Sequence, residues 1–140
     1  MELIDVDSVL LENKPLTNVE LVQTCKRLGI PIRGVFMRDN LPKKPRKDEC
    51  AIVNLDESLG SGTHWVCYLK KGSKKMYFDS FGLCPPLEVQ KYLGKGINYS
   101  TYKIQSPEQV ICGHLCLHVL NRLKTTPTID SFEKIVCKLF

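Results

Sequence analysis

The stretch HWVCYLKKGSKKMYFDSF, residues 64–81, predicts a β-hairpin. Two runs rich in aromatic and β-branched residues flank a Lys/Gly/Ser segment, which is the pattern of antiparallel strands joined by a tight turn. A turn at residues 71–72 places His64 directly opposite Asp79, and a turn one residue later places them on a diagonal. Both registers keep the imidazole and the carboxylate on one sheet face, because side chains alternate along a strand.

The segments on either side of the hairpin are predicted to be further helices and strands. Thr17 and Glu20 fit a capping box and Gly29 fits a C-cap, so a helix is predicted between them. Its core-facing residues are predicted to be Val19, Val22, Cys25 and Leu28. The other predicted elements are strands at CAIVNL (50–55) and YSTYKI (99–104) and helices at 85–94, 112–123 and 129–139. This order predicts an α+β fold, in which helices flank a central sheet that is mostly antiparallel or mixed.

Length and composition indicate a single domain spanning residues 1–140. Of the 140 residues, 43% are hydrophobic and 25% are charged, as in ordinary globular proteins. No apolar run approaches the roughly 20 residues that cross a bilayer, and the N-terminus lacks the basic region of a signal peptide. The seven cysteines do not show the spacing of a disulfide framework, so we expect reduced thiols in an intracellular compartment and no membrane association.

The net charge of +5 is partly concentrated in KKPRK, residues 43–47, and in KKGSKK, residues 70–75. The first run lies within a Pro/Lys-rich segment, residues 40–49, that is predicted to be an exposed basic loop. Such patches attract nucleic acid or acidic partners, and they also occur as solvated loops that aid solubility. One expectation is therefore weak DNA binding through Lys43, Lys44, Arg46 and Lys47.

Cys112-Gly113 begins an apolar, helix-like run within QSPEQVICGHLCLHVL, residues 105–120. A cysteine at a helix N-terminus lies beside unpaired N–H groups and the positive end of the helix dipole, and both favour the nucleophilic thiolate. Gly113 leaves room for a substrate carbonyl to approach the backbone. The alternative is that Cys112 and Cys116 are small hydrophobic residues in a core stripe.

A thiolate nucleophile needs a base, and His64 is the best placed of the three histidines. It lies where a glycine-rich loop becomes a strand, whereas His114 and His118 share the helix of Cys112 without facing it. Asp79 lies between aromatic residues, where a carboxylate is costly to bury unless a group such as an imidazolium meets it. Its alternative role is to cap the DSFG turn.

Gln105 is a candidate for an oxyanion hole. It is predicted to end a strand and to precede the loop SPEQVI, which leads back to Cys112. Acyl transfer needs donors aimed at the developing oxyanion, and a side-chain amide can serve there with a backbone N–H. A glutamine alone indicates little, and a surface role is the default interpretation.

The candidate residues occur along the chain in the order His64-Trp65, Asp79, Gln105 and Cys112-Gly113. This order resembles the active-site pattern of the adenovirus endopeptidase (adenain) and, more broadly, of the related SUMO- and NEDD8-specific cysteine proteases. The seven-residue step from Gln105 to Cys112 matches the adenoviral branch, as do the QSP start and the CGHLC helix. The chain departs from that branch in carrying aspartate at position 79, where the adenoviral enzyme has glutamate, and in being shorter.

The resemblance implies a cysteine protease fold with the nucleophile at the N-terminus of a central helix. The implied roles are nucleophile for Cys112, general base and acid for His64, orienting acid for Asp79, oxyanion hole for Gln105 with the Cys112 N–H, and cleft lining for Trp65 and Gly113. Members of the family cut after glycine in small-residue contexts. The adenoviral enzymes process precursor proteins during virion maturation and are stimulated by DNA and a short peptide, so these are possible activators, while no metal or other cofactor is expected to be required.

The expected function is therefore a cysteine endopeptidase of a virus or virus-like element, acting in the virion and the host nucleus or cytoplasm. A rival within enzymes is a deubiquitinating or deSUMOylating isopeptidase that uses the same residues on ubiquitin-like proteins. A zinc-binding module is a second rival, because CGHLCLH, residues 112–118, contains two cysteines and two histidines, although they spread over two helix faces. An inactive, basic nucleic-acid-binding relative is a third, supported by KKPRK alone.

Overall fold

The computed structural model describes residues 2–57, 64–106 and 109–139. The strands within these ranges are β1 (Leu3–Val6), β2 (Val9–Glu12), β3 (Val35–Met37), β4 (Asp48–Asn54), β5 (Trp65–Lys71), β6 (Lys74–Phe78) and β7 (Ile97–Tyr99). The helices are α1 (Asn18–Leu28), α2 (Leu87–Leu93), α3 (Cys112–Leu123) and α4 (Ile129–Leu139). The helices predicted at 85–94, 112–123 and 129–139 and the strand predicted at 50–55 are thus confirmed.

Five of the strands form a mixed sheet in the order β3-β4-β5-β6-β7. The three central strands are antiparallel, and each edge strand runs parallel to its neighbour. Because side chains alternate along a strand, Cys67 and Leu69 of β5 enter the core beneath α1, α3 and α4, whereas Val66 and Tyr68 enter the core beneath α2. The predicted α+β fold with a mixed sheet flanked by helices is confirmed.

The hairpin of β5 and β6 turns at Gly72-Ser73, as the pairing of the flanking lysines shows. Of the two turns that the sequence allowed, this is the later one, and it puts His64 and Asp79 on a diagonal. Gly72 has a φ of 60°, in the left-handed region that only glycine adopts without steric cost. His64 and Asp79 lie at the open end of the hairpin, which is the end away from this turn.

Helix α1 begins and ends where the sequence predicted. Thr17 and Glu20 form the reciprocal capping box, and Gly29 ends the helix in the left-handed conformation. The predicted core face is wrong at Val19, whose side chain is 57% exposed. Val19 and Leu28 are nine positions apart, about two and a half turns, so they lie on opposite sides of the helix. The residues that α1 buries are Leu21, Thr24 and Cys25.

The strand predicted at YSTYKI (99–104) is wrong except at its first residue. Strand β7 spans Ile97–Tyr99, and residues 100–104 have no regular secondary structure. The backbone N–H groups of Ile104 and Gln105 both donate to the carbonyl of Ser80, at 2.8 and 3.1 Å. These bonds tie residues 104 and 105 to the residue that follows β6 by two positions, and not to β6 itself. The pairing of β7 with β6 therefore does not continue beyond Tyr99.

The basic segment predicted as a loop at residues 40–49 ends earlier than expected, because β4 already begins at Asp48. The side chain of Glu49 is buried, and its carboxylate accepts hydrogen bonds from Arg33 at 3.0 Å and from the Tyr68 hydroxyl at 2.6 Å. Opposite charge and a hydroxyl donor compensate the burial of this carboxylate, so it belongs to the sheet.

The two basic runs of the sequence meet at one end of the molecule. The Lys47 carbonyl accepts hydrogen bonds from Lys70 Nζ at 3.1 Å and from the Gly72 N–H at 2.9 Å. Lys75 Nζ in turn donates to the Lys95 carbonyl at 2.8 Å. We call this end of the sheet the basic end surface; its cationic residues are Lys43, Lys44, Arg46, Lys47, Lys70, Lys71, Lys74, Lys75 and Lys95.

An N-terminal hairpin of β1 and β2 was not predicted from the sequence. Its turn residues Asp7 and Ser8 both have positive φ, as a type I′ hairpin turn requires. The hairpin packs on α3, where His114 Nε2 lies 2.9 Å from the Glu12 carbonyl and His118 Nδ1 lies 3.4 Å from Asp7.

Among the helices of the described ranges, none combines the length and apolar character that a bilayer crossing needs.

Gly82 sets how closely the segment after β7 approaches the end of β6, and its replacement by alanine tests this. Gly82 has a φ of 73°, and an added Cβ would lie 2.5 Å from the Thr101 carbonyl oxygen. The matched control is Gly72→Ala, since Gly72 has a similar φ of 60° but nothing within 4 Å of the added carbon.

We expect Gly72→Ala to lower the free energy of unfolding by about 1–2 kcal/mol, through backbone strain alone. Gly82→Ala should cost about 1–3 kcal/mol more, because the steric overlap adds to the strain. Chemical denaturation of both variants measures the difference. Equal losses would show that the close approach of Gly82 to residue 101 does not constrain the fold.

Candidate active site

Cys112 is the first residue of α3. Its Sγ lies at the open end of the β5–β6 hairpin, opposite the turn, beside the first residue of β5. The backbone N–H of Trp65 donates to Sγ at 3.5 Å, and the imidazole of His64 lies close enough to the same sulfur to lower the pKa of the thiol. Both Cys112 and His64 are 8% exposed. The predicted meeting of this thiol and this imidazole is therefore present in the structure.

Asp79 follows β6 and holds the other side of the imidazole. Its Oδ1 lies 2.7 Å from His64 Nε2 and also accepts a hydrogen bond from the Phe81 N–H at 2.8 Å. Asp79 is fully buried, so these bonds replace those that water would make. The turn-capping role considered for Asp79 and its role as partner of His64 thus coexist on one oxygen.

The electrostatics of the pair favour thiolate and imidazolium. Burial alone would lower the pKa of His64, but the hydrogen bonds and charges of Asp79 and Cys112 raise it to about 9. Burial alone would raise the pKa of Cys112, but hydrogen bonds from His64 and the Trp65 N–H, with the imidazolium charge, lower it overall. Because each shift favours the charged form of its group, the two shifts together favour a thiolate–imidazolium pair over the neutral thiol and imidazole.

Gln105 lies beside this group, but not in the setting that the sequence predicted. It does not end a strand, and it is 2% exposed and therefore not a surface residue. Its Oε1 accepts a hydrogen bond from the Ser80 hydroxyl at 2.7 Å, and its Nε2 donates to the Gln109 carbonyl. The amide is thus held at both ends between the residue after Asp79 and the loop that leads to Cys112.

Trp65 and Gly113 contact one another beside the nucleophile. A Cβ at position 113 would lie 3.3 Å from Trp65 Cδ1 and 3.4 Å from the side chains of Leu16 and Leu21. The Trp65 indole N–H donates to the Leu16 carbonyl at 2.9 Å. The sequence predicted that Gly113 makes room for substrate; in the structure, the space that it leaves is filled by the indole and two leucines.

The cysteines and histidines of CGHLCLH, residues 112–118, have separate partners. Cys112 contacts His64, Cys116 lies in the core, and His114 and His118 face the N-terminal hairpin. No group of His, Cys, Asp or Glu in the described ranges is arranged to hold a metal ion. The geometry of this run therefore does not support the zinc-module alternative.

Sequence reasoning missed two residues of the site, Ser80 and Phe81. The Phe81 ring stacks on the His64 imidazole, with centroids 4.4 Å apart and planes inclined by 19°. Ser80 is fully buried and hydrogen-bonds Gln105. Both follow Asp79 directly in the DSFG run, so the sequence pattern that identified Asp79 could have included them. Nothing in the sequence, however, shows which way these two side chains point.

The group can carry out nucleophilic attack on a carbonyl. It combines a thiol whose pKa is lowered, an imidazole that can give and take a proton, a buried carboxylate that orients the imidazole, and a side-chain amide held by the residue next to that carboxylate. These are the parts that acyl transfer through a thioester requires.

Comparisons with known proteins show the fold. No family model matches the sequence, and no curated protein matches it significantly. Among solved structures, the chain is similar to the crystal structure of ASFV pS273R protease, with a TM-score of 0.59 and 17% identity. The match covers 89% of this chain and 62% of that protease, so the chain spans about three fifths of its length.

A selenomethionine crystal structure of the same ASFV protease is also matched, with a TM-score of 0.48, 17% identity, and coverage of 92% of this chain and 69% of that one. At this level of identity, the similarity concerns the arrangement of strands and helices. The chain shares the fold of ASFV pS273R protease.

Proposed function

We propose that the protein is a cysteine endopeptidase, with Cys112 as nucleophile, His64 as general base and acid, and Asp79 as the residue that orients His64. The observation that carries the proposal is that the Asp79 carboxylate hydrogen-bonds the His64 imidazole, and that this imidazole lies beside the Cys112 thiol at the start of α3. The fold shared with a viral protease supports it. The order of these residues along the chain, which resembles adenain and the SUMO-specific proteases, supports the finer assignment.

The proposed reaction begins when the Cys112 thiolate attacks the carbonyl carbon of the scissile peptide bond. The carbonyl π electrons move to oxygen, and the oxyanion accepts hydrogen bonds from Gln105 Nε2 and a backbone N–H at the head of α3. The intermediate collapses as the His64 imidazolium protonates the departing amine, which leaves a thioester. Water then gives a proton to the neutral imidazole, attacks the thioester, and releases the acid and the thiolate.

The substrate class that we propose is a polypeptide with glycine before the scissile bond and small residues around it. Only 8% of Cys112 and 8% of His64 are exposed, so access to the sulfur is narrow. Glycine, which has no side chain, can therefore bring its carbonyl carbon to the sulfur more easily than a residue with a branched side chain can. The family resemblance points to precursor proteins of a virus or virus-like element, cleaved during virion maturation. An isopeptidase acting on ubiquitin-like proteins would use the same residues and is the alternative.

Replacement of Cys112 tests the assignment of the nucleophile. Cys112→Ala should reduce cleavage of Gly-Gly peptides and virion precursors by at least about 10⁴-fold, because no other group supplies the attacking sulfur. Cys84→Ala is the matched control, since Cys84 is an exposed free thiol outside the site. Turnover is measured by mass spectrometry of the products, with ubiquitin-like conjugates assayed in parallel.

Retained turnover in Cys112→Ala would contradict the proposal. Cleavage of the conjugates but not of the precursors would instead favour the isopeptidase alternative.

The pH profile tests the role of Asp79. Activity requires deprotonated Cys112 and protonated His64, so kcat/KM should fall as the pH rises through about 9, the pKa of His64, and also as it falls below the lowered pKa of Cys112. Asp79→Asn removes a cause of the raised His64 pKa, so the alkaline limb should move to lower pH, with kcat reduced on the order of 10³-fold or more.

The control is Asp48→Asn, because Asp48 pairs with Lys71 near the turn of the hairpin. It should leave the profile unchanged. An alkaline limb that stays in place in Asp79→Asn would rule out the proposed pairing of charge between Asp79 and His64.

We further propose that the basic end surface binds nucleic acid, which makes DNA a candidate activator. The contacts of Lys47 with Lys70 and Gly72 join two cationic runs that are distant in sequence. The surface surrounds the hairpin turn, and His64, just before β5, lies seven residues from Lys71 at the other end of that strand, roughly 23 Å away. Nucleic acid bound there would leave the cleft open to substrate.

Neutralising this surface tests the proposal. The variant Lys43→Gln, Lys44→Gln, Lys47→Gln, Lys74→Gln should weaken binding of duplex DNA and flatten its salt dependence, because about one counterion is released per phosphate neutralised. A matched control carries the same loss of charge elsewhere: Lys26→Gln, Lys103→Gln, Lys134→Gln, Lys138→Gln. Fluorescence anisotropy at several salt concentrations measures both. Equal effects of the two variants would mean that only net charge matters.

A further inference from the structure

Ser80 makes three hydrogen bonds to the segment that carries Gln105. Its carbonyl accepts from the N–H groups of Ile104 and Gln105, and its hydroxyl donates to Gln105 Oε1 at 2.7 Å. Ser80 is fully buried, and Gln105 is 2% exposed. The residue next to Asp79 therefore holds both the backbone and the side chain of Gln105.

The chemistry of the amide makes the hydroxyl bond directional. A side-chain amide donates only through nitrogen, and it accepts through oxygen. Gln105 Nε2 donates to the Gln109 carbonyl, which cannot donate, so nitrogen must occupy that side of the amide. Oxygen then faces Ser80, whose hydroxyl is the donor that this side needs. Of the two N–H bonds on Nε2, one is used by Gln109 and the second can serve a substrate.

We propose that Ser80 is a positioning residue for catalysis, whose hydroxyl fixes the orientation of the Gln105 amide so that an N–H bond of Nε2 points at the oxyanion. This inference rests on the proposed cysteine protease function. Without the Ser80 hydroxyl, the buried Oε1 loses its donor, and only the bond to Gln109 orients the amide. The amide then tilts about its remaining bond to Gln109, and the second N–H bond of Nε2 turns away from the oxyanion.

Ser80→Ala isolates this role, because it removes the hydroxyl and keeps the carbonyl that holds Ile104 and Gln105. Loss of an oxyanion donor costs about 10²–10³ in kcat, and a displacement of about 1 Å costs about 10². We expect Ser80→Ala to lower kcat by about 10–100-fold with little change in KM, and Gln105→Ala to lower it by about 10²–10³-fold. Ser73→Ala, the same change in the exposed hairpin turn, should have no effect.

Two readouts separate positioning from a general structural effect. In the Gln105→Ala background, Ser80→Ala should cause no further loss, because the hydroxyl acts through the amide. Alkylation of Cys112 by iodoacetamide forms no oxyanion, so its rate in Ser80→Ala should stay within about twofold of the parent, while the affinity for a peptide aldehyde should fall with kcat.

Normal kcat in Ser80→Ala, a loss that persists in the Gln105→Ala background, or an equally slowed alkylation would each overturn the inference. If Ser80→Ala did not fold, Ser80→Cys would replace it, since a thiol of similar size is a weaker donor and should give a smaller loss of the same kind. The proposed function fails separately: unimpaired Gln105→Ala and Cys112→Ala would refute it, whereas impaired Gln105→Ala with normal Ser80→Ala would refute only the role of Ser80.

Discussion

The hydrogen bond between His64 Nε2 and Asp79 Oδ1 joins the two strands of the central hairpin at the point where α3 begins. Asp79 is fully buried, and its Oδ2 finds no hydrogen-bond donor among the described residues. The free-energy cost of burying this carboxylate is therefore offset at Oδ1, by its hydrogen bonds with the imidazole and with the Phe81 N–H. An imidazolium between a carboxylate and a thiolate gives alternating charges, so each group stabilises the charged form of its neighbour.

The four residues 79–82 connect this interaction to the rest of the site. Asp79 orients the imidazole, Ser80 holds Gln105, and Phe81 stacks on His64. Gly82 then lets the backbone of residues 101–102 approach closely enough for residues 104 and 105 to bond the Ser80 carbonyl. One short run at the end of β6 thus positions both the base and the amide, which explains how they stay aligned without a common helix or strand.

Sequence alone could predict what depends on local periodicity. That His64 and Asp79 share one sheet face followed from strand alternation, but Gly72 suited either turn, so the sequence could not select the diagonal register that the structure has. Long-range bonds were not predictable: the contacts of Ser80 with residues 104 and 105 replace the strand expected at 99–104. The same limit applies to Ser80 and Gln105 themselves, because a pattern can identify candidate residues but not the direction of a buried hydroxyl or amide.

Hydrogen-bond partners, and not burial, distinguish Cys112 from Cys116 as the nucleophile, because both thiols are buried. Cys112 and Cys116 are one turn apart on α3, and both contact the peptide groups of Trp65. The Trp65 N–H donates to Cys112 Sγ at 3.5 Å and stabilises a thiolate, whereas Cys116 Sγ donates to the Trp65 carbonyl at 3.5 Å and must keep its proton to do so. Burial and neighbouring thiols raise the pKa of Cys116, and burial raises the pKa of Cys25 to about 12. A helix that presents two cysteines to one strand therefore activates only the cysteine that meets a donor and an imidazolium.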